Sequence, residues 1–225
     1  PPIFVRRFPE PTGVLGNATV PDSQIDRIVL AFPAGADAPT HKDAETLLVD
    51  PVNGDIYVIT KRTEVCRVYR APFPQSTTQT VTLEFVAELP WGVAGGTGGA
   101  TGGDVSPDGS RVIVRRYTWY DPQATHWHRP AGSPLWEAFN GPACSVPLIL
   151  EEKGEAVCFQ ADGRGYYTVS EGLNQAINHF SMASCASASD CDDGNACTDS
   201  VCADGVCELA NNVAPCDDGL FCTGT

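Results

Sequence analysis

The sequence predicts an all-β chain: a partial β-propeller, about three blades' worth of four-stranded units over residues 1–182, followed by a small disulfide-rich module over residues 183–225. Three observations predict it. A strand, glycine turn, strand pattern recurs with spacings of 55 and 54 residues. Seven of the ten cysteines crowd into the last 41 residues. That same segment carries eight acidic residues and no Lys or Arg, so it holds −8 of the net −14 and the remainder −6. A charge shift of this kind marks a domain boundary.

The recurring unit is read from three segments, Leu47–Ile59, Asp104–Val114 and Val157–Val169, whose turns hold Asn53-Gly54, Asp108-Gly109 and Asp162-Gly163. Asn-Gly and Asp-Gly between β-rich runs are hairpin signals, because tight hairpin turns need positive φ. A third strand is expected where Val5-Arg6-Arg7-Phe8-Pro9-Glu10-Pro11 and Val68-Tyr69-Arg70-Ala71-Pro72-Phe73-Pro74 agree at four of seven positions. Prolines end that strand because they cannot donate to a ladder. Fourth strands are expected over 25–32 and 80–89, and the later strands over 135–139, 145–150 and 176–180. Four strands repeating at this period describe propeller blades; a β-sandwich would not produce a period near 54. Closure takes about four blades or more, so the expectation is that N-terminal strands precede Pro1-Pro2-Ile3.

In the tail, Cys191-Asp192-Asp193-Gly194-Asn195-Ala196-Cys197-Thr198 recurs 25 residues later as Cys216-Asp217-Asp218-Gly219-Leu220-Phe221-Cys222-Thr223. The second unit is expected to continue beyond Thr225, which makes the module truncated. Cys185, Cys191, Cys197, Cys202, Cys207, Cys216 and Cys222 are separated by five, five, four, four, eight and five residues, with no His among them. Zinc knuckles use shorter spacings, so the reading is disulfides in place of a core, and hence an oxidising compartment, extracellular or at the cell surface. Pairing among these seven is not deducible from spacing, nor is it for Cys66, Cys144 and Cys158, which leave room for one further bridge.

Residues 41–181 resemble a family of uncharacterised bacterial secreted or surface β-propeller proteins. The resemblance rests on Asp43-Ala44-Glu45, Asp50-Pro51-Val52-Asn53-Gly54, Tyr57-Val58-Ile59-Thr60-Lys61, Ser106-Pro107-Asp108-Gly109, Gly154-Glu155-Ala156 and Ser170-Glu171-Gly172, with an end-of-blade match at residues 5–11. It implies fold and export rather than chemistry. The tail is similar to the tandem Cys-Asp-Asp-Gly-x-x-Cys-Thr repeats at the ends of exported bacterial proteins.

Net charge −14 argues against nucleic acid, which needs clustered Lys and Arg, and no run of about 20 apolar residues suits membrane insertion. Nucleophile-elbow, zincin and Walker motifs are absent, so binding is favoured over catalysis. Aligning the turns makes Glu45, Thr101 and Glu155 equivalent, and likewise Lys61, Arg116 and Ser170, with Glu171 next along; all are expected at one channel mouth. His41, Asp43 and Glu45 alternate along an extended chain and, with Glu155, are the candidate ligands for calcium or another divalent cation. The competing reading pairs Glu45 with Lys61 and Glu155 with Arg116. Residues 117–134 read as a long loop over the same mouth, offering Tyr117, Trp119, Tyr120, His126, Trp127 and His128 with Lys61, Arg116 and Glu171 as a surface for a protein or carbohydrate at the cell surface. Asp104, mid-strand, is expected to pair with Arg115. The tail fails the calcium-loop spacing, though Asp192, Asp193 and Asn195 are a looser candidate set. The expectation is a secreted or surface binding scaffold, with a metal-dependent hydrolase as the alternative.

Overall fold

The computed structural model describes residues 2–10, 19–39, 43–61, 65–91, 98–117, 123–181, 185–192, 194, 196, 198–203 and 206–212. It is all-β: sixteen strands and four short 3-10 segments among the described residues, and no α-helix. Two compact units divide it, Pro1–Ala100 and Thr101–Thr225.

In the first unit, β1 (Ile3–Arg7) pairs antiparallel with β2 (Asp26–Ala31), and the short β6 (Val81–Thr82) adds to β2 in parallel. A four-stranded antiparallel meander follows: β3 (Ala44–Val49), β4 (Ile56–Thr60), β5 (Cys66–Ala71) and β7 (Glu84–Leu89), in that spatial order. The single strand expected over 80–89 is thus two, broken at Leu83, whose N–H donates to the Ala31 carbonyl. Apolar faces of the two sheets meet through Ile28, Leu30, Ile56, Val58, Tyr69 and Leu83, all buried. Strand β4 is buried at every position, which is why it reads as a continuous apolar run rather than an alternating one.

The second unit repeats the meander with β8 (Gly99–Val105), β9 (Arg111–Tyr117), β10 (Gln123–His128) and β11 (Ala143–Val146), then a three-stranded sheet of β12 (Gly154–Phe159), β13 (Gly165–Ser170) and β14 (Ile177–Ser181). Ile113 and Ala124 of one sheet pack on Val157, Phe159 and Tyr166 of the other. Four antiparallel strands in sequence order are the arrangement of a propeller blade. A hairpin of β15 (Thr198–Ala203) and β16 (Val206–Asn211) forms the tail, after a 3-10 segment at Ala188–Cys191.

The three expected hairpin turns are present. Gly54, Gly109 and Gly163 have φ of 81°, 75° and 72°. The residue before each glycine accepts the N–H two positions on: Asn53 from Asp55, Asp108 from Ser110, Asp162 from Arg164. Two expectations need correction. Residues 135–139 are not a strand but part of the 3-10 segment Leu135–Asn140, because Leu135, Ala138 and Phe139 are the buried positions and that spacing suits a helical turn. The segment 117–134 is not one long loop: among its described residues β10 occupies 123–128, held in register against β9 from Gln123 opposite Arg116 to His128 opposite Arg111.

Candidate functional site

The aligned glutamates occupy matching irregularities. Strand β3 slips register between Ala44 and Thr46, and β12 between Gly154 and Ala156, so Glu45 and Glu155 are the extra residues of two β-bulges. Bulges re-aim a side chain. In the first unit that side chain meets Lys61: the ammonium is ion-paired with the Glu45 carboxylate, and the Lys61 N–H donates to the Asp43 carbonyl at 2.8 Å. Lys61 is buried. Glu45 is therefore already neutralised by a cation, which supports the ion-pair reading over a metal ligand. His41 lies outside the described residues. Among the described residues, the group of three or more potential metal ligands whose donor atoms lie within 4.8 Å of one another is Cys185, Cys191 and Cys207, and its sulfurs are in disulfides.

Strand pairing shifts one sequence equivalence. Val49 faces Ile56, and Phe159 faces Tyr166, so Lys61 corresponds to Glu171 rather than to Ser170. Turn closure extends this: Asp50 N–H reaches Asp55, Ser106 reaches Arg111 and Gln160 reaches Gly165, which matches Lys61 with Tyr117 rather than Arg116. The first turn holds one residue more before its glycine and one fewer after it. In the second unit Glu171 forms an exposed pair with Lys153 at 3.9 Å, and its N–H donates to the Lys153 carbonyl. The polarity is reversed relative to Asp43 and Lys61. Arg116 donates to Gln123 Oε1 at 2.7 Å, and Tyr117 Oη to the Glu152 carbonyl at 3.1 Å.

The aromatic segment is reorganised by becoming a strand. Trp119 and Tyr120 lie outside the described residues. Trp127 is 3% exposed, with its ring edge-on to Phe139 at 5.3 Å, so it is core rather than a contact surface. His126 and His128, two residues apart, share the opposite strand face, with ring centroids 4.6 Å apart. Directly across from His126 stands Cys144 of β11. This face forms one wall of a cleft of about 560 Å³. Tyr166, His179 and Phe180 of the neighbouring sheet and Leu209 of the tail hairpin line the rest. Tyr166 and Phe180 rings stack at 4.9 Å, and burial pushes the Tyr166 phenol up. Among the described residues the lining includes no carboxylate. Burial, reinforced by the charges of His128 and Arg111, holds the His126 pKa down to about 3, so its imidazole is neutral at ordinary pH.

The sequence does not reveal the buried polar system of the second unit. Arg115, fully buried, is ion-paired with Glu151, which also accepts from Thr168 Oγ1 at 2.7 Å and from the Asn178 amide. Asp104 consequently does not pair with Arg115. Its carboxylate accepts the Phe159 N–H at 2.8 Å and the Val105 N–H at 2.9 Å. Burial raises its pKa, opposed by those two amides. The role is structural, as expected, but the partner is the backbone of β12. Glu151 precedes β12 in a segment with no repeat signal, so nothing in the sequence pairs it with Arg115.

The tail contains two disulfides among the described residues, Cys185–Cys202 and Cys191–Cys207. None joins two of Cys66, Cys144 and Cys158; the Cys66 thiol donates to the Trp91 carbonyl instead. Cys197, Cys216, Cys222, Asp193 and Asn195 lie outside the described residues. Asp192 accepts the Gly194 N–H at 2.9 Å, the work of a turn residue. No helix among the described residues is long and apolar enough to cross a membrane.

No family model matches the sequence, and no curated protein does. Solved structures similar in part include TolB from Acinetobacter baumannii (12% identical, covering 70% of this chain and 34% of that one, TM-score 0.43). Kuenenia stuttgartiensis hydrazine synthase is 12% identical over 70% of this chain and 39% of its own, with a TM-score of 0.42. Kluyveromyces lactis Hsv2 is 14% identical over 94% and 54%, with a TM-score of 0.40. The chain spans between about a third and about half of these proteins.

Proposed function

We propose that this is a secreted or cell-surface binding protein, and that the cleft between the β10–β11 and β13–β14 walls holds a carbohydrate. The observation that carries this is the cleft itself, about 560 Å³. That is the size of a small-ligand site, largely apolar with a few convergent polar groups. Phe180, half-buried and backed by the buried Tyr166 ring stacked on it, offers apolar surface for a sugar ring, while His128 and His179, both exposed, supply hydrogen-bonding nitrogens at the rim. The two tail disulfides support export. A hydrolase using Asp43, Glu45 and Glu155 is the weaker reading, since Lys61 occupies Glu45.

Calorimetric titration of the full chain with neutral oligosaccharides of several linkage types is the test. At least one class should bind, and Phe180→Ala or His179→Ala should weaken it by about tenfold, the effect of one lost contact worth ~1.4 kcal/mol. Binding unaffected by both changes, or no binding by any class, would remove the proposal.

A further inference from the structure

We infer that His126, His128 and Cys144 form a binding site for a zinc-class transition-metal ion in this cleft. Strand geometry, and not sequence proximity alone, brings the three residues to one face. His126 and His128 project to one face because strand residues alternate. Cys144 is the cross-strand partner of His126, and such partners hold their Cβ atoms about 4.5–5.5 Å apart on the same face. Metal–nitrogen bonds of about 2.0–2.1 Å set two tetrahedrally held imidazole centroids about 5 Å apart. The two rings stand at 4.6 Å.

The second observation is independent of that spacing. His126 is 9% exposed, lines the cleft, and its Nε2 is a buried atom with no hydrogen-bond partner. A ring with its proton on Nδ1 presents Nε2 as a lone-pair donor. Two imidazoles and a thiolate form a donor set for zinc, cobalt or copper, and the absence of carboxylates from the described lining disfavours calcium and magnesium. The net charge of −14 attracts cations at long range. Nearby Arg111 opposes this, but its guanidinium donates to the Gly163 carbonyl at 2.9 Å and lies over the Phe159 ring.

The three donor atoms do not all lie within 4.8 Å of one another. Cys144 Sγ sits 3.9 Å from the Leu209 carbonyl. Ion binding therefore requires the three side chains to close on one another, the thiol leaving the Leu209 carbonyl and releasing its proton to solvent. Three protein ligands leave a fourth position for water or a ligand.

Cobalt(II) titration of the purified, unreduced full chain tests this without any sugar present. One equivalent should produce the strong visible bands of tetrahedral cobalt and a thiolate-to-cobalt charge-transfer band, both abolished by zinc. Cys144→Ser should remove the charge-transfer band, and His126→Gln or His128→Gln should each weaken affinity by about tenfold or more, with circular dichroism unchanged. A charge-transfer band that survives Cys144→Ser assigns the ion to other cysteines and overturns the inference, as does failure to bind. Cobalt binding without sugar binding would sink the carbohydrate reading alone.

Discussion

Single residues fix the hairpin turns, and Asp108 shows how. Its carboxylate accepts the Ser110 N–H at 3.0 Å, the Ser110 hydroxyl at 2.7 Å and the Ser106 hydroxyl. Partial burial pushes its pKa up, but those hydrogen bonds and the Arg111 charge prevail and hold it at about 2. A folded-state pKa below the unfolded value means the charged form favours folding. The contribution is fully present above about pH 4 and is lost as pH falls towards 2. Solvent screening of this exposed group limits it to about 1 kcal/mol. Wild type should exceed Asp108→Asn by up to that amount at pH 5–7, and the gap should close between about pH 4 and 2. Thermal midpoints measured across that range would show it; a gap independent of pH would mean the charge is irrelevant.

At the level of strands, the second unit depends on how closely β12 lies beside β8 and β9. Thr101 Oγ1 donates to the Gly154 carbonyl at 3.3 Å. A Cβ on Gly102 would strike the Glu155 carbonyl, and one on Gly154 would overlap the Arg115 guanidinium. Gly154→Ala should therefore displace Arg115 from Glu151 and cost about 3 kcal/mol, the loss expected when a buried ion pair is broken. Urea denaturation measures it. Combining the change with Arg115→Met should cost less than the two single losses together; full additivity would show that Arg115 is not what the methyl meets. The glycine at 154 stands in Gly154-Glu155-Ala156, one of the segments that carry the family resemblance, but the sequence does not give its reason, because the side chain it makes room for lies 39 positions earlier. Legibility followed the same line elsewhere. The hairpins around Gly54, Gly109 and Gly163 were readable because their turns are local chemistry. Strand β10 was not, since Gln-Ala-Thr-His-Trp-His carries little β signal and is a strand only because β9 and β11 flank it. The cleft depends on that strand, so sequence reasoning selected His126 and His128 but placed them on a loop. Cys144 carries no local signal, since its relevance comes from cross-strand register.

Across the whole chain, two ways of holding structure divide the labour. The sheets of both units close over buried apolar clusters, Ile28 to Leu83 in the first and Ile113 to Tyr166 in the second, with no disulfide among their described residues. The tail hairpin has small and acidic residues instead, and its two bridges close separations of 17 and 16 residues, each worth ~3 kcal/mol at this loop length. Reduction should act on one and spare the other. With a reductant, the main far-UV and thermal transition of the sheets should persist, while protease should begin to cut within the tail. Peptide mapping without reductant should first recover Cys185 linked to Cys202 and Cys191 linked to Cys207, with Cys158, an exposed thiol, open to alkylation in the native protein. Because Cys207 and Leu209 line the cleft, the same reduction should also weaken whatever the cleft binds. Loss of the sheet transition on reduction would show that the bridges stabilise more than the tail; unchanged protease resistance would show that they do not stabilise the tail at all.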